Sequence, residues 1–330
     1  MNIKNKSILD TGGAGCVGSN IVKKLDSRGA EITVIDNLSA YPFDYLHEYG
    51  VGNMDSVKFV KGDINDHELI HKLIKDNDVV IHAAALADVG ACVRNPHDEF
   101  RTNVLATQNI LEICKKEEIQ KFVFISSASV YGEPDGQIFK ETDACFPISN
   151  YGLSKYWGEQ QTRLFHDLYE LPTTSIRFFS VYGSPQTPKQ GSHSWAVAIF
   201  AMLAKKRKPI TVFGDGNQIR DFTHVSDIAE SAVLSIEKSS TNGKFFNSGT
   251  GKPTKVNDIV KYVFENIDKV PIHYKPHPPG DPLGGYADNS LMKKLLGWEP
   301  EYTLQEGIKE YFEWLDENEL LILSLIHISE

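Results

Sequence analysis

Tyr151 and Lys155 are the clearest candidates for catalytic side chains in the sequence, and they are four residues apart. On a helix this spacing places both side chains on one face. A free tyrosine, with a pKa of about 10, is a poor base at neutral pH, but a nearby ammonium group favours the phenolate. The pair therefore predicts a general base, Tyr151, that is activated by Lys155 and removes a proton from a substrate hydroxyl.

A serine-rich segment precedes this pair and ends a predicted strand. A serine hydroxyl opposite the tyrosine can share the transferring proton and orient the substrate alcohol. Ser127 is the first candidate for this role, with Ser129 and Ser126 as lesser candidates.

A glycine-rich turn, TGGAGCVG at residues 11–18, lies between the first predicted strand and a predicted helix. Glycines allow a tight turn and a close approach of the backbone to a pyrophosphate, which the free N–H groups of the helix N-terminus stabilise. The turn therefore predicts a dinucleotide site that includes Gly12, Gly15, Cys16, Val17 and Gly18.

Asp36 ends the second predicted strand, 18 residues after Gly18, and is followed by Asn37. A carboxylate at this point can accept hydrogen bonds from two ribose hydroxyls and would repel a 2′-phosphate. The sequence therefore favours NAD over NADP as the cofactor.

Two further segments fit the same cofactor. Asp63 and Ile64 follow the third strand, where an acid and an aliphatic side chain can flank an adenine. Ala83–Ala85 follows the fourth strand, where small residues let the chain pass close to a flat ring system. Asp10 fits no such role, and a carboxylate near the end of a buried strand is costly unless it is partnered.

The elements that must position these residues alternate between β-branched runs and helical patterns, which indicates a parallel sheet with crossover helices. The predicted strands are Ser7–Asp10, Glu31–Ile35, Val57–Val60, Val79–His82, Lys121–Ser126 and Thr173–Phe178. The predicted helices are Gly15–Arg28, Asp66–Lys75, Asn95–Lys116, Tyr151–Tyr169, Ser194–Lys206, Val225–Glu237, Lys255–Asn266 and Leu304–Glu317.

The predicted fold class is α/β, a Rossmann-type doubly wound parallel sheet with a smaller C-terminal substrate-binding lobe. Residues 1–180 would form the NAD-binding domain, and residues 181–318 mainly the substrate lobe with some elements returning to the first domain. Residues 319–330 differ in composition from the helix before them and are predicted to be a tail.

Composition limits the possible partners and location. A net charge of −10 over 330 residues argues against a general nucleic-acid binder. The longest apolar stretch, Leu320–Ile328, is much shorter than a membrane span, and the first residues do not read as a secretory signal. The four cysteines form no CxxC pair, so we expect free thiols in the cytoplasm and no metal site.

Together these elements resemble the extended short-chain dehydrogenase/reductase family, in particular its NAD-dependent nucleotide-sugar epimerases and dehydratases. The resemblance covers about residues 5 to 315. It also includes Asp36-Asn37-Leu38-Ser39, Asn103, Arg177-Phe178-Phe179, Arg220-Asp221-Phe222, Gly280-Asp281 and Leu295-Leu296-Gly297-Trp298.

The resemblance implies an epimerase that holds NAD tightly, with hydride passing to the cofactor and back to the other face of a transient 4-keto sugar. Tyr151 and Lys155 would then also contact the cofactor, as would Asn103. It further implies a homodimer formed through the helices at residues 95–116 and 151–169.

Substrate contacts are expected mainly in the second half of the chain. Arg220 is the candidate for a nucleotide phosphate, because a guanidinium matches phosphate oxygens, although an ion pair with Asp221 is the alternative. Trp195 and Phe213 are candidates for bordering the base. The remaining substrate candidates are Ser127, Ser129, Ser180, Asp281 and Gly285.

Three departures from the family pattern bear on the substrate. Ser180 replaces the usual Asn, and Pro278 replaces an Arg, which puts recognition of uridine diphosphate in question. Gly285 stands where glucose-specific relatives carry a Tyr, so we expect a pocket that accepts UDP-N-acetylhexosamines as well as UDP-hexoses.

Other reactions and roles remain open at this point. Family members that are 4,6-dehydratases carry an acid shortly after the catalytic hydroxyl residue, where this chain has Ala128-Ser129, so 4-epimerisation is favoured over dehydration or decarboxylation. A non-catalytic NAD-sensing regulator, a net reductase and an interaction scaffold are the alternatives from other classes.

Overall fold

The computed structural model describes residues 1–39, 51, 54–133, 138–188, 195–276 and 284–318. Asp281, Pro278 and the predicted tail at 319–330 lie outside these residues. The strands are, in chain order, β1 (Ser7–Thr11), β2 (Glu31–Asp36), β3 (Val57–Lys61), β4 (Val79–His82), β5 (Lys121–Ser127), β6 (Ile138–Phe139), β7 (Thr173–Phe178), β8 (Val181–Tyr182), β9 (Ile210–Phe213), β10 (Ile219–Arg220), β11 (Thr223–His224), β12 (Lys244–Ser248), β13 (Thr254–Lys255), β14 (Ile272–Lys275) and β15 (Tyr286–Ala287).

The helices connect and cover these strands. They are α1 (Cys16–Ser27), α2 (His67–Lys75), α3 (Val89–Arg94), α4 (Pro96–Glu99), α5 (Ala106–Lys116), α6 (Asn150–Tyr169), α7 (Ala196–Lys205), α8 (Val225–Glu237), α9 (Val256–Asn266), α10 (Ser290–Leu296) and α11 (Leu304–Glu317). No helix in the described part of the chain is long and apolar enough to cross a membrane.

Seven parallel strands form the central sheet in the order β12-β7-β5-β4-β1-β2-β3. Strands buried on both faces need apolar side chains in both directions, which explains continuous runs such as VVIH in β4. The order reverses between β1 and β4, and in doubly wound sheets ligands bind at this switch point. The predicted Rossmann-type fold class is confirmed.

Helices cover both faces of the sheet. The core on one face includes α1 and α8, which pack against each other, and the core on the other includes α2, α5 and Phe165 of α6. A further core joins α7, α9 and α11 to β9, away from the central sheet. The fold therefore has a second, mainly helical core beside the core of the central sheet.

Several elements differ from the sequence-based expectation. The predicted helix at Asn95–Lys116 contains α4, a π-helical stretch at Phe100–Leu105 and then α5. The seventh strand, β12, comes from the second half of the chain and pairs with β7. Its sequence KFFNS ends in polar residues that are buried, so it does not read as an apolar strand.

Asp10 is completely buried on β1, and both of its carboxylate oxygens lack a hydrogen-bond partner within the described residues. Its neighbours across the sheet are Val34 on β2 and Ile81 on β4. Burial, together with a smaller effect of Asp36, raises the pKa of Asp10 well above its usual range. Burial without a hydrogen-bond partner therefore disfavours the ionised form of this side chain.

We expect Asp10→Val to raise the free energy of unfolding at pH 7 by roughly 1–3 kcal/mol, because it removes an unpaired polar group. The folded-state pKa lies above the unfolded-state pKa. Wild-type stability is therefore fully present below the unfolded-state pKa and falls as the pH rises through the folded-state value. Urea unfolding from pH 5 to 9 measures both effects.

Asp10→Asn is the matched control. It should remove the pH dependence due to Asp10 without giving the stability of Asp10→Val, because the amide still lacks partners. Equal stability of the wild type and Asp10→Val across the pH range would contradict the assignment of a buried, unpaired acid.

Candidate active site

A cavity of about 1070 Å³ opens at the carboxyl ends of the central strands and extends to the lobe that contains α7. All predicted site residues that the structure describes line this cavity, except Asn103. They are Gly12, Gly15, Cys16, Val17, Gly18, Asp36, Asn37, Asp63, Ile64, Ala83, Ala84, Ala85, Ser127, Ser129, Tyr151, Lys155, Ser180, Trp195, Phe213, Arg220 and Gly285.

The glycine-rich turn is shaped by close backbone approaches. Gly12 has a φ of +84°, and a Cβ atom there would lie 2.7 Å from the backbone of Ala84. A Cβ atom on Gly18 would lie 2.4 Å from the Gly12 carbonyl oxygen. Gly15 is the N-cap residue of α1 and has no side chain that could accept hydrogen bonds from the first N–H groups of the helix. This is the local geometry of a pyrophosphate site.

The acidic end of the cavity is organised around Asp36. Its carboxylate accepts hydrogen bonds from the backbone N–H groups of Ala14, at 3.1 Å, and Leu38, at 2.8 Å. The Asn37 amide donates to Asp63 at 3.1 Å, which joins the ends of β2 and β3. Because these carboxylates lie beyond the glycine turn, this end suits the hydroxyl groups of an adenosine ribose.

A buried histidine links the glycine turn to the helices on the other face. Thr107 donates to the Asn103 carbonyl at 2.7 Å. The hydroxyl oxygen of Thr107 therefore accepts the Nε2–H of His82 at 3.0 Å. Nδ1 of His82 then accepts from Thr11 at 2.7 Å, and Thr11 in turn accepts from the Ala84 N–H at 3.4 Å. Burial lowers the pKa of His82 to about 3, which keeps this neutral tautomer.

Asn103 lies behind the cavity wall, in the π-helical stretch. Its carbonyl oxygen accepts from the Leu86 N–H at 2.8 Å, and its amide donates to the Leu86 carbonyl at 3.1 Å and to Glu99 at 3.0 Å. A longer contact of 3.4 Å reaches Ser154, next to Lys155. In this geometry Asn103 holds the segment after β4 against α6.

The glycine turn, the helix N-terminus and the Asp36 carboxylate fit a bound NAD. The pyrophosphate would lie over Gly12–Gly18, the adenosine beside Asp36, Asp63 and Ile64, and the nicotinamide towards Ala83–Ala85 and Tyr151. Arg101 also lines this cavity, from the π-helical stretch. Although burial acts to raise the pKa of Asp63, hydrogen bonds from Asn65 and Asn37 and a smaller contribution from Arg101 lower it. No pattern in the sequence distinguishes Arg101 from a surface residue of an amphipathic helix.

The proposed catalytic residues meet where β5 faces α6. Tyr151 and Lys155 lie on one face of α6, with the Lys155 ammonium 5.8 Å from the centre of the Tyr151 ring. Ser127 makes a hydrogen bond with Tyr151 and lies 3.0 Å, Oγ to Oγ, from Ser129. Lys155 is buried and donates to the Ile125 carbonyl at 2.8 Å.

Burial governs the proton affinities at this centre. It raises the pKa of Tyr151 to about 12, while the hydrogen bond with Ser127 acts in the opposite direction. It lowers the pKa of Lys155 to about 8, against the attraction of Cys92, Glu99 and Glu159. A positive charge close to the phenol would therefore be needed to make Tyr151 an effective base at neutral pH.

A buried ion pair anchors α6 directly below this centre. Arg177 on β7 donates to both carboxylate oxygens of Glu159, at 2.9 and 2.7 Å, and to the Tyr131 hydroxyl at 2.8 Å. Ser126 donates to Glu159 at 2.6 Å, and Tyr131 donates to Asn247 at 2.7 Å. The network joins β5, α6, β7 and β12, and sequence reasoning missed it because the partners are distant in the chain.

On the lobe side, Ser180, Trp195, Phe213, Arg220 and Gly285 face the same cavity. The sequence left an ion pair between Arg220 and Asp221 as the alternative role of this arginine. The Asp221 carboxylate has other partners. Asp221 is buried and accepts hydrogen bonds from backbone N–H groups in two other segments of the chain.

The fold and the glycine-rich turn define an NAD-binding α/β protein in which Tyr151, Lys155 and Ser127 line one cavity. Residues 8–249 match the family described as the NAD dependent epimerase/dehydratase family, and the chain belongs to that family. A relative from Methanocaldococcus jannaschii, described as a putative UDP-glucose 4-epimerase, is 39% identical over 94% of this chain and 99% of its own length.

Two solved structures show the same likeness in three dimensions. A UDP-glucose 4-epimerase from Thermotoga maritima, solved with UDP-glucose, has a TM-score of 0.86 and 34% identity, covering 94% of this chain and 99% of its own. A UDP-N-acetylglucosamine 4-epimerase from Methanobrevibacter ruminantium, solved with UDP-N-acetylmuramic acid, has a TM-score of 0.88 and 30% identity, covering 95% and 99%.

We expect Tyr151→Phe to lower kcat by at least about 100-fold, because the variant lacks the phenolic oxygen that exchanges a proton with the substrate. Circular dichroism and the amount of NAD that copurifies should remain unchanged, since the ring still fills its place. The measurement is the initial rate of sugar conversion at saturating substrate.

Tyr156→Phe, on the same helix, is the matched control and should keep wild-type kcat. A Tyr151→Phe enzyme with near-normal turnover would remove Tyr151 from the catalytic role.

Proposed function

We propose that the protein is a nucleotide-sugar 4-epimerase that interconverts UDP-hexoses or UDP-N-acetylhexosamines through a transient 4-keto sugar, with NAD held tightly throughout. The observation that carries this proposal is a single cavity with Tyr151, Lys155 and Ser127 between the dinucleotide turn and Arg220. The similarity to enzymes described as UDP-sugar 4-epimerases supports it.

In this proposal each residue has one task. Tyr151 accepts the proton of the sugar hydroxyl, Ser127 shares that proton and orients the oxygen, and Lys155 stabilises the phenolate. Bound NAD, held by the glycine turn and Asp36, would supply a reversible hydride acceptor for the sugar carbon that bears this oxygen. Tyr151 then returns the proton to the oxygen, so the reaction has no net change in oxidation state.

The absence of an acid beside Ser127 favours epimerisation over loss of water. Elimination needs an acid to protonate a departing hydroxyl and a base to take the neighbouring proton. The residues after Ser127 are Ala128 and Ser129, which begin a short 3₁₀ turn and carry no carboxylate.

The sugar specificity is proposed from Gly285, which lines the cavity and has no side chain to limit the space at the sugar 2-position. We expect the wild type to convert both UDP-N-acetylglucosamine and UDP-glucose to their galacto epimers without added NAD. Gly285→Tyr should lower kcat/KM for UDP-N-acetylglucosamine by at least about tenfold, because added bulk excludes the acetamido group, and should spare UDP-glucose.

Proton NMR of the anomeric region measures these conversions, and Gly285→Ala is the control that should keep both activities. Turnover of UDP-glucose alone by the wild type would contradict the proposed tolerance. No new anomeric signal with either sugar would reject the proposed reaction, and a product that has lost water would indicate a dehydratase.

We also propose a homodimer through the helices at residues 95–116 and 151–169. Leu153, Leu164 and Leu168 lie on one face of α6, and their side chains are 58%, 44% and 66% exposed. Phe100 and Leu105, in the stretch before α5, are 55% and 46% exposed. Large apolar side chains gathered on adjacent helices are typical of a surface that another subunit covers.

We expect the double variant Leu164→Glu/Leu168→Glu to be monomeric, because two carboxylates would have to be buried in the interface. Light scattering coupled to size-exclusion chromatography measures the mass. Tyr274→Glu, which changes an exposed apolar residue on β14, is the control and should remain dimeric. A monomeric wild type, or a dimeric double variant, would contradict the proposal.

The location we propose is the cytoplasm, since all four cysteines are free thiols and suit a reducing compartment. The division near residue 180 into an NAD-binding domain and a substrate lobe remains part of the same proposal.

A further inference from the structure

Gly284 occupies a backbone position that a side chain would block. Its φ is +111°, and a Cβ atom there would lie 1.7 Å from the Ile219 carbonyl oxygen and 2.4 Å from Nη1 of Arg220. The guanidinium group of Arg220 therefore packs directly against the Cα atom of Gly284. Both residues line the cavity.

The same place is where two chain segments join. Gly284 forms a β-bridge with Ile219, and the Gly285 N–H donates to the Ile219 carbonyl at 3.2 Å. Nη1 of Arg220 donates to that carbonyl at 3.0 Å. One carbonyl oxygen thus holds both the Gly285 backbone and the arginine side chain, and the missing side chain of Gly284 leaves room for the arrangement.

Asp221 fixes the backbone next to Arg220. Its buried carboxylate accepts from the N–H groups of Thr250 and Gly251, each at 2.9 Å, and of Ala287 at 3.1 Å. Arg220 itself is paired with Thr254 in the β10–β13 ladder. The backbone on both sides is thus held, and a side chain at position 284 would occupy the space that Nη1 of Arg220 fills.

From this geometry we infer that Gly284 is a positioning residue, which directs the Arg220 guanidinium to the diphosphate of the substrate. The inference rests on the proposed function, in which the substrate is a nucleotide sugar. Gly284 and Gly285 then have separate tasks. Gly285 leaves space for the sugar, whereas Gly284 governs retention of the nucleotide whichever sugar it carries.

The test measures UDP affinity by isothermal titration calorimetry on the NAD-loaded protein, because UDP has the diphosphate and lacks the sugar. Gly284→Ala should raise the Kd for UDP by about 10- to 100-fold, the effect of losing a charge-assisted hydrogen bond. KM for the nucleotide sugar should rise while kcat and the NAD content change little.

Gly297→Ala is the matched control, because Gly297 has a φ of +70° but no heavy atom within 4 Å of an added Cβ. It introduces comparable backbone strain without blocking a neighbour, so UDP affinity should be unchanged. Arg220→Gln should weaken UDP binding as much as Gly284→Ala, and the double variant should be no weaker than Arg220→Gln alone.

The outcomes separate this inference from the proposed function. Tight UDP binding by Gly284→Ala together with weak binding by Arg220→Gln overturns the inference alone. A wild type that does not bind UDP overturns both. Should Gly284→Ala fail to fold, a crystal structure of the wild type with UDP decides: Arg220 against Gly284 and on a phosphate oxygen supports the inference, and any other position of the guanidinium overturns it.

Discussion

The face of α6 that meets the end of β5 holds the proposed catalytic residues together. Three residues spaced by four, Tyr151, Lys155 and Glu159, contact Ser127, the Ile125 carbonyl and Ser126 in that order. Glu159 is the deepest, and its buried pair with Arg177 ties the helix to β7. A buried ion pair is seldom a large source of net stability, but breaking it leaves an unpaired charge, so the helix has one favoured position.

The cofactor end of the cavity is also held by buried polar groups that are hydrogen-bonded to one another, but these groups are uncharged. The chain of hydrogen bonds from Thr11 through His82 to Thr107 has one consistent set of donors and acceptors, and burial keeps the histidine neutral. It links the glycine turn to the π-helical stretch on the other side of the sheet. Because His82 stays neutral around neutral pH, this chain of hydrogen bonds keeps the same donors and acceptors there.

Local sequence was sufficient for the parts of the fold that obey local rules. The strands of the first half and helices such as α8 and α11 were predicted within a residue or so, because their apolar periodicity is strong and caps or glycines mark their ends. The cavity-facing positions of Tyr151, Lys155, Asp36 and the glycine turn could also be predicted, since strand ends of a parallel sheet meet at one edge.

What the sequence could not provide depends on long-range contacts. The strand β12 reads as polar because it ends in Asn247 and Ser248. Asn247 is buried there because it accepts a hydrogen bond from Tyr131, more than a hundred residues earlier in the chain. The Glu159–Arg177 pair and the contact of Gly284 with Arg220 likewise join residues from different segments of the chain. A pattern that spans one element cannot reveal a partner that another element supplies.

The position of β12 at the edge of the sheet has a consequence for biosynthesis. Because β12 pairs with β7, and α8 packs on α1, the nucleotide platform cannot close on the ribosome until the nascent chain has emerged to Ser248. The chain between β7 and β12 carries α7 and Arg220, which line the cavity, and it also carries α8, which packs on α1 of the platform. A substitution in α7 or at Arg220 can therefore alter the substrate side of the cavity while the strands that position the glycine turn stay the same.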